Sequence, residues 1–223
     1  MYQFFPDKSS NYRYSIILRH PLRVFKSWRK GIFDIVTQTN QTTDSSEIPK
    51  SFDDFHFQRD PPKKFVVQGR NFKELYDQWQ YVKENFDPNP IIIDSDELLS
   101  DPEHMVSKFC AALGIPYNKD MITWDGDPKH IDDWWIPVQP LYSVEFGRIC
   151  CGNAMYSKEF KKPGKLPSLD EVSEDIRESY EFVKPYYEEM YNARLKPWIE
   201  ISVSAWASDL FYRGDAKDGK SLE

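Results

Sequence analysis

Residues 14–28 read YSIILRHPLRVFKSW, and no other stretch limits the fold as tightly. Residues 14–18 are a short apolar run, His20-Pro21 breaks it, and an amphipathic helix follows. From Pro21 onward Leu22, Phe25, Trp28 and Ile32 recur at helical spacing, with proline at a permitted first-turn position. A strand feeding straight into a helix commits the chain to a layered α/β arrangement. It also makes a place for an anion, because the first amides of a helix lack intrahelical partners and that end carries partial positive charge. Arg19 stands where the strand ends, and Ser27 lies one or two helical turns further on.

The remaining pattern extends the same architecture. A second helix is expected from about residue 72 to 86, capped by Asn71 with Glu74 three residues later, and with Phe72, Leu75, Trp79, Val82 and Phe86 on one face. Asp87-Pro88-Asn89-Pro90 ends it. Ile91-Ile92-Ile93 then reads as a strand of the kind covered on both faces in a parallel sheet. DSDELLSDP reads as a loop whose Asp101-Pro102 opens a further helix, striped by Val106, Phe109, Cys110 and Leu113 and stopped by Gly114. Ser168 with Glu171 signals a long C-terminal helix with Leu169, Val172, Ile176 and Tyr180 inward, which Pro185 is expected to kink or split. Residues 34–62 read as a polar surface excursion, partly helical around Phe52 to Phe57, and 115–165 show little periodicity. One α/β domain is expected over residues 1–200, with 201–223 a partly disordered tail.

Composition narrows the function. With 40% hydrophobic and 16% aromatic residues, 223 residues can build one real core. A net charge of −7 argues against nucleic acid as a partner. No apolar run reaches the roughly 18–20 residues of a membrane span, and residues 1–14 lack the layout of a secretory signal. Cys110, Cys150 and Cys151 make neither a disulfide framework nor a zinc pattern, which fits a reducing, cytoplasmic setting. His20, His56, His104 and His130 are scattered, so no metal is assigned. Trp134-Trp135 reads either as an acceptor-pocket wall or as a satellite core.

Against this acidic background the sign inverts locally. No acidic residue lies between Asp7 and Asp34, whereas Arg13, Arg19, Arg23, Lys26, Arg29 and Lys30 all fall there. Taken alone, this is either a solvated basic helix face or the seat of an anion, where arginine forks two donors onto a phosphate.

RHPLRVFKSW resembles the Arg-x-Pro…Ser-Trp/Tyr segment of the sulfotransferase superfamily. PIIIDSDELLSDPEHMVSKFCAALGIPY is similar to that family's later strand-loop-helix. Asp96, Glu97 and Leu98 stand for its Glu-Asp-Leu element, Asp101-Pro102 for its Asp-Pro, and Leu113-Gly114-Ile115-Pro116 for its closing motif, while Ser95 replaces a frequent tyrosine. GRNFKELYDQW looks like the helix the family places just upstream, and the matched pieces cover roughly half the chain. EFKKPG and KPYYEEMYNARLKP resemble a branch sometimes labelled aminotransferase-like, although no pyridoxal-phosphate lysine context accompanies them.

The resemblance implies a three-layer α/β sandwich with a parallel sheet, of the P-loop sulfotransferase type. It implies transfer of a sulfuryl group from the nucleotide co-substrate 3′-phosphoadenylyl sulfate to a hydroxyl or amine of a small-molecule or glycan acceptor, without a metal. Arg19 and Ser27 would contact the 3′-phosphate. Lys161 and Lys162 would be late nucleotide contacts or a solvated loop. Asp96 and Glu97 are expected to support the sheet edge or cap the next helix rather than perform acid/base chemistry.

One departure matters. The family opens with a strand and a glycine-containing loop that cradles the phosphosulfate, and residues 1–13 hold neither. The usual base belongs to the same region, so no catalytic residue is assigned. The expectation is an N-terminally incomplete fold that exposes an apolar sheet position and is weakly active or inactive alone. Three readings follow: a truncated sulfotransferase-like enzyme, a non-catalytic nucleotide-binding form, or an unrelated α/β interaction domain.

Overall fold

The computed structural model describes residues 12–38, 51–60, 70–127 and 156–196. The order of elements is β1 (Ser15–Leu18), α1 (Pro21–Gln38), α2 (Arg70–Asn85), β2 (Ile91–Asp94), α3 (Ser95–Ser100), α4 (Pro102–Leu113) and α5 (Glu174–Asn192). β1 and β2 pair in parallel, Ser15 opposite Ile91 and Leu18 opposite Asp94. The crossover between them carries α1 and α2, as a parallel pair requires. The fold class is α/β.

Strand periodicity of two divides the core. Leu18 and Ile92 join Leu22, Phe25, Phe72, Trp79, Ile176, Val183 and Met190 in a large cluster under α1, α2 and α5. Ile91 and Ile93 point the other way and meet Met105 of α4, with Leu98 and Phe109 packed beside them. β2 is therefore covered on both faces, as its unbroken isoleucines require. β1 is not: Ser15 is exposed and Ile17 is 66% exposed. On the outer edge of β2, the Leu195 amide donates to the Ile92 carbonyl at 2.7 Å.

Several expectations change on contact with the structure. Phe55 and Phe57 are not on a surface excursion. They are 1% and 2% exposed within the main cluster, and residues 52–54 and 57–59 form turns rather than helix. Burying two such rings contributes roughly 1.5–3 kcal/mol each, which outweighs the polar character of their surroundings. In α1 the buried position is Arg29, not Trp28. Asn71 lies inside α2 rather than capping it.

DSDELLSDP is helical over Ser95–Ser100, because the Asp94 carboxylate accepts the amides of Asp96 and Glu97 and so nucleates a turn. Asp101 then caps α4, and Gly114 (φ 71°) ends it, as the sequence predicts. Ser168 and Glu171 close only a short 3₁₀ turn over Leu169–Glu171, leaving Leu169 exposed, and α5 starts after Ser173. Pro185 does not split α5, which runs continuously past it. The tail 201–223, Cys150, Cys151 and Trp134-Trp135 lie outside the described residues.

Candidate functional site

The parallel register brings two distant segments side by side. RHP begins one residue after Leu18, and DSDELLSDP begins with Asp94, directly opposite Leu18. The carboxyl ends of parallel strands are where open α/β sheets place ligands. There a cavity of about 430 Å³ opens, walled by His20, Asp94, Asp96, Glu97, Tyr187 and Tyr191, with Ser100, Asp101, His104, Met105 and Leu166 around it.

His20 owes its position to α1. Its Nδ1 accepts the Leu22 amide at 3.3 Å, and its carbonyl accepts the amides of Arg23 and Val24. Nδ1 is thus an acceptor and the proton of the neutral ring sits on Nε2. The ring stacks on Tyr180 at 5.9 Å and meets the edge of Tyr187 at 5.1 Å. Burial lowers its pKa, opposed by Asp96 and aided by Arg23. The first amides of α1 are consequently taken by the chain itself, and an anion there must rely on side chains.

The basic cluster is largely paired. Arg13 meets Asp87 at 3.1 Å, Arg23 meets Asp96 at 2.7 Å, Arg29 meets Asp175 at 3.3 Å, and Lys30 meets Asp34 at 2.9 Å. Among the described residues Arg19 and Lys26 have no such partner, and both are exposed, as is Ser27. Neither Arg19 nor Ser27 walls the cavity. Lys161 and Lys162 are exposed as well, just past the bridge that joins Thr123 to Glu159.

Asp96 and Glu97 tie elements together. Asp96 accepts from Arg23 of α1, and Glu97 accepts from Arg194 Nε at 2.9 Å just beyond α5. Of the two expectations, support and capping, the ion pairs fit the first. The caps come from Asp94 and Asp101. Sequence reasoning missed Asp94, Tyr187 and Tyr191 as cavity walls. Asp94 carried a usable signal, since it is the residue that ends a buried strand. The tyrosines, more than ninety positions away, carried none.

Electrostatically the cavity is acidic. Burial pushes the Asp94 carboxyl up, with Glu97 and Asp96 adding to the rise against the backbone amides that oppose it. Burial likewise raises the Tyr187 hydroxyl, reinforced by Asp94, so it remains a protonated donor. Among the described residues no group of three His, Cys, Asp or Glu side chains is arranged to hold a metal. No helix among them is long and apolar enough to cross a membrane.

Comparison with known proteins bears on the same segment. The family model described as a sulfotransferase domain matches residues 86–144, which take in β2, α3 and α4 but neither Arg19 nor Ser27. The branched-chain-amino-acid aminotransferase-like protein 2 of Arabidopsis thaliana is 42% identical over 48 residues, covering 22% of this chain and 9% of that protein. The matched part is thus a small fraction of that relative's length. No solved structure matches the chain significantly. The likeness to a sulfotransferase domain thus rests on the segment that carries β2, α3 and α4, a minor part of the chain.

Proposed function

We propose that this chain is the part of a sulfotransferase that holds the 3′-phosphate end of 3′-phosphoadenylyl sulfate, in a three-layer P-loop-type fold. Arg19 and Ser27 supply the contacts and Lys26 adds charge. The supporting observation is the parallel register: it sets the RHP junction beside the segment that matches the sulfotransferase domain. Arg19 and Lys26 fit a phosphate, being exposed cations without a described partner. In the reaction the donor's S–O bond to its 5′-phosphate breaks, a bond from sulfur to the acceptor's oxygen or nitrogen forms, and the acceptor gives up a proton. Little covalent chemistry falls to the protein, so positioning and preorganised positive charge do most of the catalysis.

Calorimetry with 3′-phosphoadenosine 5′-phosphate tests the reading. The chain should bind it, and Arg19→Ala should lose about 2–3 kcal/mol, the size of a charge-assisted contact. Unchanged affinity in that variant removes the role. A second reading, a nucleotide-binding or interaction domain without catalysis, draws support from the internal pairing of Arg13, Arg23, Arg29 and Lys30. Nucleotide binding without transfer of labelled sulfate to any acceptor would favour it.

A further inference from the structure

We propose that the cavity at the carboxyl ends of β1 and β2 binds an organic ammonium group and seats an amine-bearing acceptor. The word acceptor rests on the sulfotransferase reading; binding of the ammonium does not.

The argument begins with unmatched charge. Arg23 and Arg194 pair with Asp96 and Glu97, one each, and no described cation pairs with Asp94 or Asp101. Asp101 is exposed and solvated. Asp94 is only 3% exposed, and both of its hydrogen bonds, from the amides of Asp96 and Glu97, fall on Oδ1 at 3.0 Å. Its Oδ2 has no protein partner among the described residues, although the side chain walls the cavity. A carboxylate on a residue this deeply buried, with one oxygen left unpartnered, is costly unless something charged completes it. Burial, with the charges of Glu97 and Asp96 behind it, pushes this carboxyl up.

The neighbours repeat the pattern. Asp96 Oδ1 and Glu97 Oε2, the oxygens turned away from the two arginines, are buried without a partner. Sealed from solvent, these two oxygens add negative potential behind the wall, while Asp94 Oδ2 is the acceptor left for a ligand's donor. A primary ammonium carries three donors on one compact charge. A metal ion would need three or more converging ligands, and no described group provides them. The aromatic walls suit an organic body behind the charge, with Tyr187 and Tyr191 stacked 5.4 Å apart on one side. An anion finds only repulsion here, so the nucleotide's phosphates belong outside this cavity.

Titration of the full chain with benzylamine, benzyl alcohol and benzoate tests the inference. Benzylamine, cationic at pH 7, should bind at least about tenfold more tightly than benzyl alcohol, and benzoate should not bind. Asp94→Asn keeps an oxygen for the α3 cap and removes the charge, so it should weaken benzylamine by about tenfold with the fold intact by circular dichroism. Equal affinity for amine and alcohol, or an Asn variant that binds benzylamine as before, overturns it. If the variant does not fold, the amine-to-alcohol ratio on the unchanged chain still decides. A separate titration with 3′-phosphoadenosine 5′-phosphate distinguishes the two readings: its failure with amine binding intact counts against the donor site alone.

Discussion

Arg29 occupies a position in α1 where an amphipathic helix ordinarily places an aliphatic side chain. Its guanidinium donates to the Asp175 carboxylate and to the carbonyls of Phe52, Asp53 and Phe55, and lies 4.3 Å from the Phe52 ring centre. Asp175 in turn accepts the Phe57 amide at 3.0 Å. This one pair therefore fixes residues 52–57 against α1 and α5. Arg29→Ala leaves Asp175 buried and unpaired, and urea unfolding should show a loss of about 3–5 kcal/mol. A loss below about 1 kcal/mol would mean the pair is incidental. Nothing in the sequence separates Arg29 from Arg19, because which arginine is spent internally depends on a carboxylate some 146 positions away. His20 titrates with a known sign. Its folded pKa lies below its unfolded value, so the folded state binds fewer protons, and this contribution to stability is present above about pH 6.5 and lost on acidification. His20→Phe keeps an aromatic ring beside Tyr180 and Tyr187, and should flatten the dependence of melting temperature on pH between about 5 and 7. An unchanged slope would place that dependence elsewhere.

Among the elements, those legible in the sequence were the ones whose signals are local. Three consecutive isoleucines, Asp101 before Pro102, and Gly114 after a helical stripe each act through backbone geometry within a few residues, and each stands where the pattern places it. Pattern and structure differ where two signals compete. The pattern opens a loop at Asp94, whereas Asp94 both ends β2 and caps the next helix, so residues 95–100 are helical. Ser168 with Glu171 forms a genuine local bond, Ser168 amide to Glu171 carboxylate at 2.9 Å, but Ser173 supplies a later start for α5. By propensity alone Pro185 predicts a kink or a break. It is exposed, while Val183, Tyr187 and Met190 on either side anchor α5 in the core, and that packing outweighs one missing backbone bond. The cost of the proline is still present: Pro185→Ala should stabilise the protein by on the order of 1–3 kcal/mol in denaturant unfolding. A variant no more stable than the parent would mean the local backbone has already relaxed around the ring.

For the whole molecule, the decisive asymmetry lies between the two strands. Both faces of β2 are packed, by the large cluster through Ile92 and by α4 through Ile91 and Ile93. β1 is packed through Leu18 on one face only, and among the described residues its outer edge pairs with no strand. Ile17 is the exposed apolar residue of β1. The candidate site was only half legible for a related reason. The two flanking motifs could be read from sequence, but their meeting point required the parallel register, and the tyrosine wall required α5 to cross the strand ends. An open apolar edge invites association with another chain without contributing to the core. Substitution at two neighbouring isoleucines should therefore separate stability from association. Ile92→Ala, in the heart of the larger cluster, should cost about 2–5 kcal/mol. Ile17→Lys should change unfolding free energy by no more than about 0.5 kcal/mol and raise the concentration at which light scattering first detects aggregates. Destabilisation by Ile17→Lys comparable to that of Ile92→Ala would show that the outer face of β1 is a packed surface of the folded protein, and the two strands would then be equivalent.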